Sequence, residues 1–342
     1  MVIHYKCPNC GSDMEFDAVS GMLSCGSCGR KDNIEDFSEE FITTTFSEDE
    51  AKQYNCNNCG AVIITEADTT ATNCSFCGAG VVLGDRLSGD LAPAKVIPFT
   101  ISKEEAMAAF RKWCRNGRLT PKGFMTADRV KGITGLYVPF WLYDLDSKAD
   151  VKAVGTRVRT YTRGNYIYTE KKFYDVYRDI DLSYVKVPVD ASEKLDDTLM
   201  DKLEPYDYQK FKDFKTPYLA GYIAEKYNFS DEELFPRVKT KVQPYIDSYI
   251  RSTISGYSSV NYKSKNIRTK KTKAHYVLLP VWMVYYDFDK QEHTFAMNGQ
   301  TGKIVGKPPI SLGKVASWFG GIAAAAFVTL KIISYAVGGV LW

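Results

Sequence analysis

Eight cysteines in the first 77 residues carry the clearest chemistry in this chain. They fall as Cys7-Pro-Asn-Cys10, Cys25-Gly-Ser-Cys28, Cys56-Asn-Asn-Cys59 and Cys74-Ser-Phe-Cys77. Fourteen residues separate the inner cysteines of each set, and the second set repeats the first 49 residues further on. Four thiolates on two hairpin tips suit a tetrahedral ion. The spacing therefore predicts two metal sites, Cys7, Cys10, Cys25 and Cys28 in one, Cys56, Cys59, Cys74 and Cys77 in the other. Zinc is the default, two ions per chain; iron in a rubredoxin-like four-cysteine site also fits. Each pair is followed by glycine (Gly11, Gly29, Gly60, Gly78), as a tight knuckle with positive φ requires. A disulfide framework would suit a small secreted domain, and a redox motif would show one C-x-x-C beside a βαβ pattern. Neither matches two paired sets.

No catalytic constellation accompanies the cysteines. The three histidines (His4, His275, His293) are isolated in sequence, with neither H-E-x-x-H nor a nucleophile elbow. Gly299-Gln-Thr-Gly-Lys303 hints at a phosphate loop, but Met297 stands where the first glycine is needed and Ile304 where Ser or Thr is needed. Asp144 and Asp287 at matching strand ends read as solvated or capping groups, and Cys114 as a small buried apolar residue. The sequence predicts no enzyme and no small-molecule substrate.

These motifs must be held by an α+β architecture. The expected order is a zinc ribbon over 1–33, an acidic linker over 34–51, a second ribbon over 52–90, a central α+β domain with mainly antiparallel sheet over 91–308, and a C-terminal transmembrane helix over 315–342. Asp13–Asp17 and Met22–Cys25 read as hairpin strands of the first ribbon, Ala61–Thr65 as a strand of the second. Each ribbon is too small for a core of its own, so the metal should hold it, and loss of one thiolate should unfold that ribbon alone. In the central part, Lys95–Ile101, Gly135–Asp144, Val151–Thr162 and Tyr166–Asp181 read as strands. Ser102-x-x-Glu105 and Ser230-x-x-Glu233 are capping boxes opening helices, the second reaching about Ser255. Helical spacing also covers Ser192–Leu203. A lysine-rich strand, Ser259–Tyr276, runs into Leu278–Asp287. That segment resembles Tyr137–Asp144: both place Pro just before an apolar-Trp pair, as an internal duplication would. A hairpin over 295–305 turns at Asn298-Gly299.

Charge divides the chain. Residues 1–90 hold 5 basic against 15 acidic residues, and the remainder holds 39 against 26. An acidic ribbon pair is a poor partner for a phosphate backbone, which argues against nucleic acid. Lys263, Lys265, Arg268, Lys270, Lys271 and Lys273 either blunt an edge strand or meet anionic headgroups. Val315–Trp342 carries one charge, Lys331, in 28 residues. As a helix it would span roughly 42 Å at about 1.5 Å per residue, more than a hydrocarbon core. Its apolar residues surround the helix, which favours a membrane span over a core helix. Lys303, Lys307 and Lys314 flank its N-terminal side, so the positive-inside rule keeps the body in the cytoplasm. The expected location is the cell membrane, single-pass.

The tandem C-x-x-C-G ribbons, Gly135-Leu-Tyr-Val-Pro-Phe-Trp-Leu-Tyr-Asp144, the Gly299-Gln-Thr-Gly302 hairpin and the hydrophobic tail resemble bacterial TFIIB-type zinc-ribbon membrane proteins, the YdjG-like group. The resemblance implies the eight cysteines as metal ligands and a non-enzymatic role in envelope stress. It also implies partners among flotillin-like (SPFH) and phage-shock-type proteins. The function expected is a tail-anchored scaffold or adaptor. The alternative is a zinc-ribbon protein that binds nucleic acid in transcription or replication.

Overall fold

Three unusually long strands set the frame. The computed structural model describes residues 2–3, 5–36, 52–56, 62–65, 69–74, 80–83, 93–115, 119–121, 124, 130–288 and 291–336. The N-terminal part contains β1 (Val2–Ile3), β2 (Met14–Asp17), β3 (Met22–Cys25), β4 (Lys31–Asp32), β5 (Lys52–Asn55), β6 (Val62–Thr65), β7 (Thr69–Asn73) and β8 (Gly80–Leu83). β9 (Lys95–Val96) leads into α1 (Lys103–Arg115), followed by β10 (Val130–Arg163) and β11 (Tyr166–Asp190). Next come α2 (Asp197–Lys202), β12 (Lys212–Asp213), β13 (Ile223–Glu225) and α3 (Asp231–Thr253). β14 (Ser259–Phe288), β15 (Gln291–Asn298), β16 (Ile304–Gly306) and α4 (Leu312–Ala336) close the described chain.

β10 has 34 residues and β14 has 30; with β11 they form an antiparallel blade, β10 in the middle. Sequence reading breaks β10 after Asp144, yet the strand continues. Leu145, Ser147 and Ala149 are buried while Asp146 and Lys148 are exposed, so the two-residue alternation survives the polar stretch. Irregularities in pairing at Tyr143/Leu145 and Asp144/Leu145 shift the register without ending the strand. Odd-numbered β10 residues face α1 at the base and α3 above, through Tyr137, Leu145, Ala149 and Val151. Even-numbered residues pack at the base on Met200 and Leu203 around α2, and higher up they meet water.

The two capping boxes form as the sequence predicts. Ser102 Oγ accepts from the Glu105 N–H at 3.2 Å, and the Glu105 carboxylate accepts from the Ser102 N–H at 2.9 Å. Ser230 and Glu233 repeat the exchange at 3.3 and 2.7 Å. α3 buries Leu234, Val238, Val242, Ile246 and Ile250, one residue in four, against the blade. Its Pro236 and Pro244 lie on the exposed side, where freed carbonyls can be solvated.

The two Pro-x-Trp segments are neighbours related by an approximate two-fold. Val96 pairs in parallel with Leu278, two residues before Pro280; Ala224 pairs in parallel with Tyr137, two residues before Pro139. In both halves a short strand precedes a serine-capped helix, which precedes a long strand and its hairpin return. The expected resemblance thus extends to β9-α1-β10-β11 and β13-α3-β14-β15.

Two local expectations fail. The helix expected over Ser192–Leu203 is only α2, because its cap is Asp196, whose carboxylate accepts from the Leu199 N–H. Ser192 instead serves a loop, its Oγ accepting from the Lys194 N–H. Nor is Asn298-Gly299 a two-residue turn. Asn298 Oδ1 accepts from the Gln300 and Thr301 N–H groups, and Gly302, at φ 74°, takes the positive dihedral. Gly299 is small for a different reason: a Cβ there would lie 2.6 Å from the Phe99 ring.

The N-terminal strands are stitched into the body. Phe16 of β2 donates its N–H to the Ala220 carbonyl at 3.0 Å and sets its ring 5.4 Å from that of Tyr218. Met14, Phe16 and Leu23 share one apolar core with Phe99, Tyr137 and Trp282. β7 pairs with β13, and β8 with β1, so this hairpin belongs to the large sheet. Of the expected acidic linker, Ile34–Asp36 forms a 3-10 turn with Ile34 buried. Residues 37–51 lie outside the described residues.

α4 leaves the base of the sheet. The Ser311 N–H bonds the Leu119 carbonyl, and Lys314 Nζ reaches the Thr120 carbonyl at 2.6 Å. Beside it Phe124 packs on His293 and Phe295, where β14 and β15 pair. The β10–β11 turn at Gly164 lies at the opposite end of the blade.

Candidate metal centre

Cys7 and Cys10 flank one knuckle, Cys25 and Cys28 the other. The Gly11 N–H donates to the Cys7 carbonyl at 2.8 Å and the Gly29 N–H to the Cys25 carbonyl at 2.9 Å. Gly11 at φ 75° and Gly29 at φ 73° adopt the left-handed geometry for which glycine was expected. Strand pairing closes each loop: Lys6 pairs with Asp13, and Ser24 with Lys31.

The two knuckles bring all four Sγ atoms within 4.8 Å of one another. Cys7 lies 3.5 Å from Cys28 and Cys10 lies 3.5 Å from Cys25. A tetrahedral zinc with Zn–S near 2.3 Å would need sulfurs about 3.8 Å apart, so this donor set fits the ion closely. Cys7 and Cys25 are buried, whereas Cys10 and Cys28 are exposed on the outer side. Backbone amides prepare the thiolates. The Arg30 amide, helped by the Asn9 side chain, brings the Cys28 thiol down to about 6. The Ser12 amide and then its hydroxyl lower Cys10. At Cys25 the Cys28 amide also lowers the thiol, but burial and neighbouring thiols prevail and raise it to about 11. A cation among the four sulfurs would remove that last penalty.

Of the second expected set, Cys56 and Cys74 are described and Cys59 and Cys77 lie outside the described residues. Cys56 and Cys74 are buried in one small cluster with Tyr54, Val81 and Leu83. Asn55 pairs with Val62 and Asn73 with Gly80. In all four C-x-x-C segments, therefore, the residue before the first cysteine pairs with the one three beyond the second.

The remaining reactive groups are structurally employed. Burial pushes the Cys114 thiol up to about 12, as befits a core residue. Asp144 Oδ1 accepts from the Lys186 N–H at 2.9 Å, fixing a residue at φ 56°. Lys303 Nζ bonds the Glu204 carbonyl and not a phosphate cradle. What sequence reading missed is a half-buried charge network on α3, in which Asp190 alone is fully buried. Arg237 contacts Asp190 and Asp197, each at 2.8 Å, and Lys241 contacts Asp201 at 2.8 Å and Glu204 at 2.5 Å. Only the i, i+4 spacing of Arg237 and Lys241 hints at it in sequence.

A four-cysteine cluster on two such knuckles defines a zinc ribbon, and residues 5–46 match the TFIIB zinc-binding ribbon family. Across 339 residues, 99% of each chain, the sequence is 66% identical to a Bacillus subtilis (strain 168) protein that bears the name "Uncharacterized protein YdjG". The chain belongs to this YdjG family of TFIIB-type zinc-ribbon proteins. No solved structure matches it.

Proposed function

We propose that this chain is a membrane-anchored, non-enzymatic adaptor. The observation that carries the reading is α4. Its span Leu312–Tyr335 has a mean hydropathy of 1.6, and none of its residues is buried. Trp318, Phe319, Phe327, Val328 and Ile332 are exposed and point to all sides of the helix, an arrangement that costs nothing in lipid and is unfavourable in water. The described helix begins at Leu312, earlier than the 315 expected from sequence. The flanking Lys303, Lys307 and Lys314 support a body held in the cytoplasm.

In this reading both cysteine sets hold zinc, two ions per chain. The knuckle pairing common to all four segments, and the joint burial of Cys56 and Cys74, support the second site. The ribbons serve protein contacts, with flotillin-like and phage-shock-type proteins in an envelope-stress response as the partners the family resemblance implies. Membrane fractionation of the full chain beside a 1–311 truncation, each washed with alkaline carbonate, tests the anchor. Only the full chain should resist extraction. Release of both would end the membrane reading.

A second reading, nucleic-acid binding, gains support from the blade tip and none from the acidic ribbons. There Arg157, Arg159 and Arg163 alternate along one face with Tyr161, which stacks on Tyr168 at 5.5 Å. Single strands bind such faces by base stacking and phosphate contact. Absence of any gel shift with single-stranded DNA or RNA at low salt would dispose of it.

A further inference from the structure

The blade has two edges. Among the described residues β11 pairs only with β10, and β14 between Ser259 and Tyr276 likewise pairs only with β10. A long unpaired strand edge is a template for another strand unless something prevents it. Here the two edges carry opposite charge. β14 from 259 to 276 holds Lys263, Lys265, Arg268, Lys270, Lys271 and Lys273 with no carboxylate. β11 mixes both signs over its length, but between 175 and 183 its open face carries Asp175, Asp179 and Asp181 with no cation, since Arg178 lies on the helix-covered face.

The helix-covered face of the blade is already satisfied. Lys265 bonds Asp247 at 2.6 Å, Lys271 bonds Asp231 and Glu232, and Arg178 bonds the Thr253 carbonyl, all on α3. The open face carries only exposed, readily exchanged pairs, Arg268 with Asp150 at 3.1 Å and Lys263 with Asp175 at 3.0 Å among them. Asp181 and Arg268 both lie level with Lys148 of β10, and Ser183 and Lys270 both lie level with Asp146. Lys148 sits 3.8 Å from both Asp179 and Asp181, an exposed and easily exchanged contact. Lys270 and Lys273 make no ion pair among the described residues.

We propose that the β11 edge of one copy pairs with the β14 edge of a second copy, continuing the sheet from blade to blade. Like charge blocks β14 against β14, and β11 against β11. Only the unlike pairing remains, a heterologous contact that builds rings or rows. Both edges are antiparallel to β10, so they run in the same direction, and the seam is parallel between copies standing the same way up. Anchoring in one membrane would impose that shared orientation. This last clause rests on the anchor reading; the pairing itself does not. A two-residue stagger sets Asp179 and Asp181 of one copy against Arg268 and Lys270 of the next.

The test uses the full chain in detergent micelles, with mass measured by sedimentation or light scattering. The wild type should form multimers whose mass falls toward one chain as salt is raised. Arg268→Glu with Lys270→Glu should give single chains, as should Asp179→Lys with Asp181→Lys, each keeping the wild-type circular dichroism. An equimolar mixture of the two variants should assemble again, because each then meets an opposite edge. A wild type that stays a single chain at every loading, multimers indifferent to both reversals, or a mixture that stays monomeric would each overturn the pairing. Failure there leaves the carbonate result untouched, so the two proposals fall separately.

Discussion

Trp141 and Trp282 make the same bond from opposite halves of the sheet. Each indole donates to the carbonyl just before a serine cap, Trp141 to Phe229 at 2.9 Å and Trp282 to Ile101 at 3.1 Å. Each also leans on an aromatic two residues before that carbonyl, Tyr227 at 5.1 Å and Phe99 at 4.9 Å. Hydrogen bond and ring contact together fix where α3 and α1 begin.

Removal of either indole N–H should therefore loosen a helix start. Trp141→Phe and Trp282→Phe are each expected to lose about 1–2 kcal/mol, since a partly buried carbonyl is left unpaired. Urea unfolding of the two variants checks this, and equal losses would fit the two-fold relation.

Metal content distinguishes the two cysteine sets. Cys7→Ser and Cys56→Ser should each lower zinc from two ions per chain to one while leaving membrane insertion intact. Cys7→Ser should also lower the melting temperature of the body by several degrees, on the order expected for a few kcal/mol. Phe16 ties that ribbon to Tyr218 and Tyr222, so its loss does not stay local. A wild type holding one zinc, unchanged by Cys56→Ser, would remove the second site.

Asp190 gives stability a pH dependence. Burial raises its carboxyl to about 6, although Arg237 opposes the shift. The folded state thus holds this proton more tightly than the unfolded state, where the group titrates near 3.9. Its contribution is complete below about pH 4 and declines as pH rises toward 6. Relative to Asp190→Asn, the wild type should lose on the order of 1–3 kcal/mol across that window. Denaturant unfolding at several pH values would show it; a constant difference would contradict it.

Gly299 is a test of packing without positive φ. In Gly299→Ala the new methyl would sit 2.6 Å from the Phe99 ring and 2.9 Å from Pro280 Cβ. About 1–3 kcal/mol of destabilisation is expected. Chemical denaturation would measure it, and a neutral result would mean that Phe99 can move aside.

The features legible in sequence were those that act over a few residues. Ser102 with Glu105, Ser230 with Glu233, and Cys7 to Cys28 with their glycines each state their geometry locally. The continuity of β10 was not legible, because Asp144 to Asp150 is held in strand by β11 and β14, distant in sequence. Likewise the pairing of β7 with β13 depends on a partner some 150 residues away. The helical spacing from Ser192 gives a helix only from Asp197 onward, because tertiary bonding from Glu225 and Asn228 holds Ser192 and Glu193 in a loop.

β1 lies at one border of the large sheet and β16 at the other. β1 thus waits for β8, and β10 waits for β14 more than a hundred residues later. Such non-local pairing makes closure slow, because loop entropy is lost before the contacts that offset it can form. The first cysteine set needs only the chain from Cys7 to Cys28. An ion can be captured there early in synthesis, so this ribbon is a folded seed already present when the long strands arrive.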